Sequence, residues 1–176
     1  GVATFSGVTL SGLVGQNYVL QFSSNPTLTV ADSSNVTVSE GVPSQLLLSS
    51  IGTQTAGVGF GVTVTLADAQ GNAVNNSGAA GTVTLSVKTG SGVLGGTVSG
   101  TIPVGQSSVT LTGVTYTRAE SGVVLTATGS GNGSSVTGKT RDSNGFTVGA
   151  GAASQLAMVT QPVGGASGAA LTTQPV

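Results

Sequence analysis

The stretch Phe60-Gly61-Val62-Thr63-Val64-Thr65-Leu66 decides the fold. Phe60, Val62, Val64 and Leu66 fall on one side of an extended chain, and Gly61, Thr63 and Thr65 on the other, because successive side chains of a strand point to opposite faces. Val83, Leu85 and Val87 alternate in the same way with Thr82, Thr84, Ser86 and Lys88. A helix needs apolar residues spaced ~3.6 apart and strong helix formers, and Gly, Thr and Val interrupt every window. Apolar-in, hydroxyl-out alternation predicts an antiparallel sheet with one face on a core. Between such runs, AQGN (69–72), GSG (90–92), GSGNG (129–133) and SNG (143–145) are turn segments, at the spacing of a β-sandwich.

Outward from this stretch, the chain repeats itself. SQLLLSS (44–50) recurs as SQLAMVT (154–160), and VTV (36–38) as FTV (146–148), both at an offset of 110 residues. ATFSGVTL (3–10) matches VTLTGVTY (109–116) at an offset of 106, and YVLQF (18–22) matches VVLTA (123–127) at 105. Offsets that differ by a few residues are what varying turn lengths between tandem copies produce. The repeat of about 110 residues is close to the ~100 of an immunoglobulin-like sandwich. The chain therefore divides into 1–40, the C-terminal part of one repeat; 41–149, a complete repeat; and 150–176, the N-terminal part of the next. The fold expected is all-β: tandem immunoglobulin-like antiparallel β-sandwich repeats of about 110 residues. The end pieces together fall short of one repeat, which favours a window onto a longer tandem array, with strand exchange between chains as the alternative. The alternation shifts phase at Gly7 and at Gly113, which predicts a bulge or a strand crossing between sheets.

VTVTLADAQGNAV (62–74), GTVTLSVKTGSGVL (81–94) and GVVLTATGSG (122–131) together resemble the bacterial immunoglobulin-like repeats of intimin- and invasin-type surface proteins. The shared pattern is a strand, a D-x-x-G-N turn carried here by Asp68, Gly71 and Asn72, a second Val/Thr-rich strand and a closing strand. It covers about two thirds of the complete repeat, and this chain has fewer charges and longer Gly/Ser insertions than that pattern. The resemblance implies an extracellular, tandemly repeated β-sandwich serving as stalk, spacer or adhesive module on a large surface protein.

Composition points the same way by exclusion. The 176 residues carry four Lys+Arg and five Asp+Glu, 5% charge against ~25% in an ordinary soluble domain. His, Cys and Trp are absent, so most of the groups that carry acid–base, thiol and metal chemistry are missing, and no enzyme is expected. A net charge of −1 offers nucleic acid no electrostatic footprint. No apolar run approaches the ~18 residues of a membrane span, so none is expected in this segment. The chain begins with neither Met nor a charged-then-apolar leader, so a secretion signal is expected outside this stretch or already removed. Glycine contributes 30 residues, and 23 Ser and 26 Thr supply hydroxyls that leave little charge to keep copies apart. An extracellular or cell-surface location is expected, with self-association into a homopolymer or tandem array. The alternative partner class is a glycan or host protein, bound by an adhesin through loops 67–81 and 129–135.

Few residues stand out as chemistry. GSGVLG (90–95) satisfies G-x-G-x-x-G, but GTVSGTIPVG follows it where a phosphate-binding fingerprint needs a helix, so a hairpin loop is expected and no cofactor. The acids Asp32, Glu40, Asp68, Glu120 and Asp142 are scattered singly. Asp68, and Asp142 with Asn144, are the weak calcium candidates, with a junction near Glu40 or Asp68 as the place. The main expectation is that Asp and Asn bond their own turn backbones in DAQGN and RDSNG. A serine nucleophile would have only Lys88 or Lys139 as base. Arg118 and Glu120 are expected to form a local surface ion pair. Asn35, Asn75 and Asn132 head N-x-[ST] patterns and are candidate glycosylation acceptors, while Asn25 is excluded by Pro26. Thr63, Thr65, Thr82, Thr84, Thr110 and Thr112 are read as strand formers on solvated faces.

Overall fold

The period-2 alternation folds as expected into strands. The computed structural model describes residues 2–176, and its regular elements among these are fourteen strands. They run β1 Asn17–Tyr18, β2 Gln21–Phe22, β3 Ala31–Asp32, β4 Val36–Thr37, β5 Gln45–Leu48, β6 Gln54–Thr55, β7 Phe60–Ala67, β8 Gly81–Thr89, β9 Leu94–Gly96, β10 Ser99–Ile102, β11 Ser108–Tyr116, β12 Glu120–Ser130, β13 Thr140–Asp142 and β14 Phe146–Gly149. The protein is all-β. Four strands in the order β5-β7-β11-β9 make one sheet, and β10-β8-β12-β14-β6, with β13 also on β12, make a six-stranded one. Two further sheets have two strands each, β1 with β4 and β2 with β3.

The apolar faces of the two large sheets share one core. Leu46, Val62, Val64, Leu66, Leu111, Val114 and Tyr116 come from the four-stranded sheet; Val83, Leu85, Ile102, Val123, Leu125, Ala127, Phe146 and Val148 come from the other. Two sheets closed on a common apolar layer are compatible with a β-sandwich. Burying each Val or Leu contributes ~1.5–3 kcal/mol. Phe60 and Phe146 meet edge-on across the layer, with ring centroids 6.1 Å apart, an arrangement worth ~0.5–1.5 kcal/mol beyond area alone. On the solvated faces the Thr hydroxyls meet across strands, as Thr63 and Thr110 do at 2.9 Å.

The phase shift at Gly113 is a bulge. β11 pairs with β7 through Leu111 opposite Val62, then resumes with Val114 opposite Phe60. Gly113 takes φ +78°, and it lets Leu111 and Val114 both face the core. Gly7 has a similar φ of +70° but lies outside any strand.

All buried apolar side chains of the described residues lie between Leu46 and Val148. The flanking pieces differ from their sequence counterparts. YVLQF (18–22), the counterpart of the middle of β12, forms only the ends of two short pairs, and ATFSGVTL (3–10) forms no strand. The reason is physical: β11 and β12 are held by β7 and β8, and residues 1–40 contain counterparts of the former and not of the latter. SQLAMVT likewise forms no strand, and Leu156 is 102% exposed where its counterpart Leu46 is 0%.

Candidate functional site

The D-x-x-G-N turn closes β7. Asp68 Oδ1 accepts from the N–H groups of Gln70 (3.0 Å) and Asn72 (2.9 Å), and Oδ2 accepts from the Gly41 N–H (3.0 Å) and Asn72 Nδ2 (2.9 Å). The turn closes with the Asp68 N–H donating to the Asn72 carbonyl and the Gly71 N–H to the Asp68 carbonyl. Gly71 fits because the turn needs φ +87°. Asp68 and Asn72 are buried. The Asn72 hydrogen bond, followed by the backbone donors, holds the Asp68 carboxyl below its ordinary pKa against the opposing effect of burial. As the turn chemistry of DAQGN led one to expect, the carboxylate is ringed by donors, whereas a calcium site is ringed by oxygen acceptors. The remaining bonds of Asn72 leave the turn: its Oδ1 accepts from the Val14 N–H at 2.9 Å and its Nδ2 donates to the Gly12 carbonyl at 3.1 Å.

The candidate loops 67–81 and 129–135 meet at one end of the core, and Asn76 joins them. It is 1% exposed. Its Nδ2 donates to the carbonyls of Ile102 (2.9 Å) and Ala79 (3.0 Å), and its Oδ1 accepts from Ser134 Oγ (3.2 Å) and the Ser135 N–H (3.1 Å). Ser77 and Ser135 add a hydroxyl pair at 3.0 Å, and the Ala79 N–H donates to the Gly133 carbonyl. Sequence reasoning passed over Asn76 as the middle residue of the Asn75 acceptor pattern. A signal was present, since Asn72, Val74 and Asn76 fall on one parity of an extended run and all three are buried.

Residues 90–93 of GSGVLG form a loop that leads into β9, and Gly90 and Gly92 accommodate an aromatic ring. A Cβ on Gly90 would lie 2.3 Å from the Tyr116 hydroxyl, and one on Gly92 would lie 2.6 Å from the ring. The Gly92 N–H donates to the Tyr116 hydroxyl (2.8 Å), and that hydroxyl donates to Glu120 Oε1. Glu120 also accepts from the Ser91 N–H (2.8 Å) and Ser91 Oγ (2.9 Å). These donors, Tyr116 first, bring the Glu120 pKa down to about 2. Burial, then the Glu120 carboxylate, pushes the Tyr116 phenol up. The surface ion pair expected between Arg118 and Glu120 does not form among the described residues: Glu120 binds Tyr116 and the 90–92 loop instead.

Asp142 sits on β13 opposite Thr126 of β12. One oxygen pairs with Lys88 Nζ and the other accepts from Thr126 Oγ1 at 2.7 Å, with Lys88 the main cause of a lowered pKa. Asn144, its expected companion, accepts from the Ile51 N–H at 2.9 Å and donates to the carbonyls of Ile51 at 2.8 Å and Gly145, in its own turn, at 3.2 Å. No group of three or more His, Cys, Asp or Glu is placed to hold a metal among the described residues. A shallow, open depression is lined by Thr140, Arg141 and Asp142.

Asn35, Asn75 and Asn132 are all exposed. The hydroxyl residue that follows Asn132 by two positions, Ser134, is buried and bonded to Asn76, whereas Thr37 and Ser77 are exposed. Glu40 approaches the Asn75 N–H at 3.4 Å. No helix is long and apolar enough to cross a membrane among the described residues. No protein-family model matches the chain. No curated protein matches it either.

Proposed function

We propose that this chain is part of an extracellular structural protein of tandem immunoglobulin-like sandwiches, bacterial in type, which builds a stalk, filament, sheath or surface layer by self-association. The observation that carries the proposal is the fate of one sequence in two places. SQLLLSS forms β5, with Leu46 buried on the core, while SQLAMVT leaves Leu156, Met158 and Val159 exposed at 102%, 52% and 84%. A strand of the β5 type is complete only on a strand of the β7 type, so SQLAMVT calls for a further repeat. The strand order supports the immunoglobulin-like reading. The neighbours in β5-β7-β11-β9 and in β8-β12-β14 match the A-B-E-D and C-F-G orders, with β6 joining parallel to β14; β10, which flanks β8, follows β9 in the chain, where a C′ strand would precede D.

The polar groups of the described residues are directed to structure. No buried side-chain nitrogen or oxygen lacks a partner, and the carboxylates of Asp68 and Glu120 hold turns. Catalysis and a resident cofactor are not part of the proposal. Sedimentation over a range of protein concentration, salt and calcium, with electron micrographs, tests it. Growth of oligomers or filaments with concentration is the expected result, and a monomer at high concentration under every condition would overturn assembly.

A second reading is favoured by the convergence of loops 67–81 and 129–135 on Asn76, which makes one rigid end surface that an adhesin could present to a glycan or host protein. The loops contain no aromatic residue to stack on a sugar. A glycan array without signal removes the glycan form of this reading.

A further inference from the structure

We propose that the Asp68–Asn72 turn is a socket that fixes one repeat on the next, and that its plug is the main chain linking one repeat's counterparts of β11 and β12. The proposal rests on the tandem-repeat reading above. Residues 11–17 are that link in the preceding repeat, because 3–10 matches 109–116 at the end of β11 and 18–22 matches 123–127 within β12.

The contact is built from both sides. Asn72 presents its amide to the plug as a donor–acceptor pair, taking the Val14 N–H and giving to the Gly12 carbonyl, which is the pattern of a strand partner. Its other bonds hold it rigid: Nδ2 is shared with Asp68 Oδ2, and its own N–H with Asp68 Oδ1. Asp68 Oδ2 also takes the N–H of Gly41, where the complete repeat begins, so one carboxylate ties turn and junction together. A Cβ on Gly41 would lie 3.1–3.2 Å from Asp68 atoms. The plug is shaped in turn by Tyr18, whose hydroxyl accepts from the Leu13 N–H at 2.9 Å and whose ring would collide with a Cβ on Gly12 at 2.3–3.0 Å.

Recognition by main chain accommodates the different side chains of the two links, SGLVGQN (11–17) and TRAESG (117–122). The complete repeat carries the matching link at Thr117, Arg118 and Ala119, all exposed. This link is the surface offered to the D-x-x-G-N turn of a further repeat of the same kind. The axial order of the array is then set by a polar latch at each junction, and lateral association is left to the sheet edges.

The test uses the 176-residue chain. Val14→Pro deletes the donated N–H and leaves the socket intact, Asn72→Ala empties the socket, and Val14→Ala keeps every main-chain group. Limited chymotryptic digestion, with the products mapped by mass, reads the release of residues 1–40. The urea midpoint followed by circular dichroism reads the core. Val14→Pro and Asn72→Ala should each speed cleavage within 1–40 about tenfold, as expected when hydrogen bonds holding a segment closed are lost. Val14→Ala should cleave like the parent, and Val14→Pro should leave the urea midpoint unchanged. Parental cleavage of Val14→Pro would overturn the socket, even if Asn72→Ala fails to fold. A parent that latches but stays monomeric would sink the assembly reading and spare the socket, and one that assembles with residues 1–40 already labile would do the reverse.

Discussion

Replacing Asn76 by Ala removes the buried side chain that unites three segments at one end of the core. The Ile102 carbonyl and the Ser135 N–H lose the amide, while the Ser134 hydroxyl is free to turn, since it already accepts from the Val136 N–H. Two such groups, one buried and one half-buried, cost about 1–3 kcal/mol each when left without partners, so the loss should be about 2–6 kcal/mol. With a urea dependence of about 2 kcal/mol/M, the midpoint falls by roughly 1–3 M. Circular dichroism follows the sheets, and the fluorescence of buried Tyr116 gives a second probe of the same transition. Asn76→Asp is more discriminating, because it keeps the shape and the acceptor for Ser134 and Ser135 but turns an oxygen toward the carbonyls of Ile102 and Ala79. Those carbonyls disfavour the charged form, so the carboxyl titrates above its unfolded value of ~3.9. The extra loss therefore grows as pH rises through that range and shrinks as pH falls toward about 4. A cost below about 1 kcal/mol for Asn76→Ala, or an Asn76→Asp penalty that is flat with pH, would refute the buried network.

The repeat counterparts give an internal control: Leu46→Ala should lower stability by ~2–5 kcal/mol, and Leu156→Ala, on an exposed side chain, by less than ~0.5 kcal/mol in the same urea assay of the isolated monomer. The Glu120 carboxyl is brought from 4.5 in the unfolded chain to about 2 in the fold. Its contribution is therefore complete above the unfolded value and is lost as pH falls toward about 2. Glu120→Gln should flatten that part of an acid-unfolding curve, with the lowered pKa values of Asp68 and Asp142 leaving a residual slope of the same sign. Gly92→Ala drives a methyl into the Tyr116 ring and should cost ~1–3 kcal/mol, whereas Gly61→Ala, with open space around it, should be neutral or slightly stabilising; thermal melts of the pair decide. Thr101→Lys, on the exposed face of edge strand β10, should raise the concentration needed for self-association in sedimentation runs, with no change expected if assembly does not use that edge.

The strands were legible because their causes are local. FGVTVTL and GTVTLSV carry the alternation in themselves, and the one-residue slip around Gly113 announces a bulge that the pairing of β11 with β7 contains. The site residues were less legible because, beside partners two to four residues off such as Asn72 for Asp68, they have partners far along the chain, as with Gly92 and Tyr116, 24 residues apart, or Ile51 and Asn144, 93 apart. Only the fold brings these groups together, so Glu120 was matched to its sequence neighbour Arg118 although two donors of Ser91 await it across the loop. The glycines of GSGVLG show the same limit from the other side. Their spacing fits a phosphate cradle on paper, and Tyr116, invisible to a local pattern, explains why side chains are missing at Gly90 and Gly92.

The low charge of the chain acquires a sharper meaning once the side chains are placed. Nine charged residues would be few even if all faced water, yet Asp68 and Glu120 hold turns and Lys88 and Asp142 neutralise each other, leaving Asp32, Glu40, Arg118, Lys139 and Arg141. Of the strands at the margins of the two large sheets, β13 is the one that bears charge, at Arg141 and Asp142, with Lys139 beside it. The margins at β5, β6, β9 and β10 carry none. Charged side chains are a usual guard against edge-to-edge pairing of sheets. Here the guard stands at one margin, and the others rely on being only two to four residues long. Short uncharged edges give weak individual contacts, which a tandem array multiplies, because each pairing holds the next pair of repeats at high effective concentration. In the assembly proposed above, repeat number therefore counts more steeply than the affinity of any single edge.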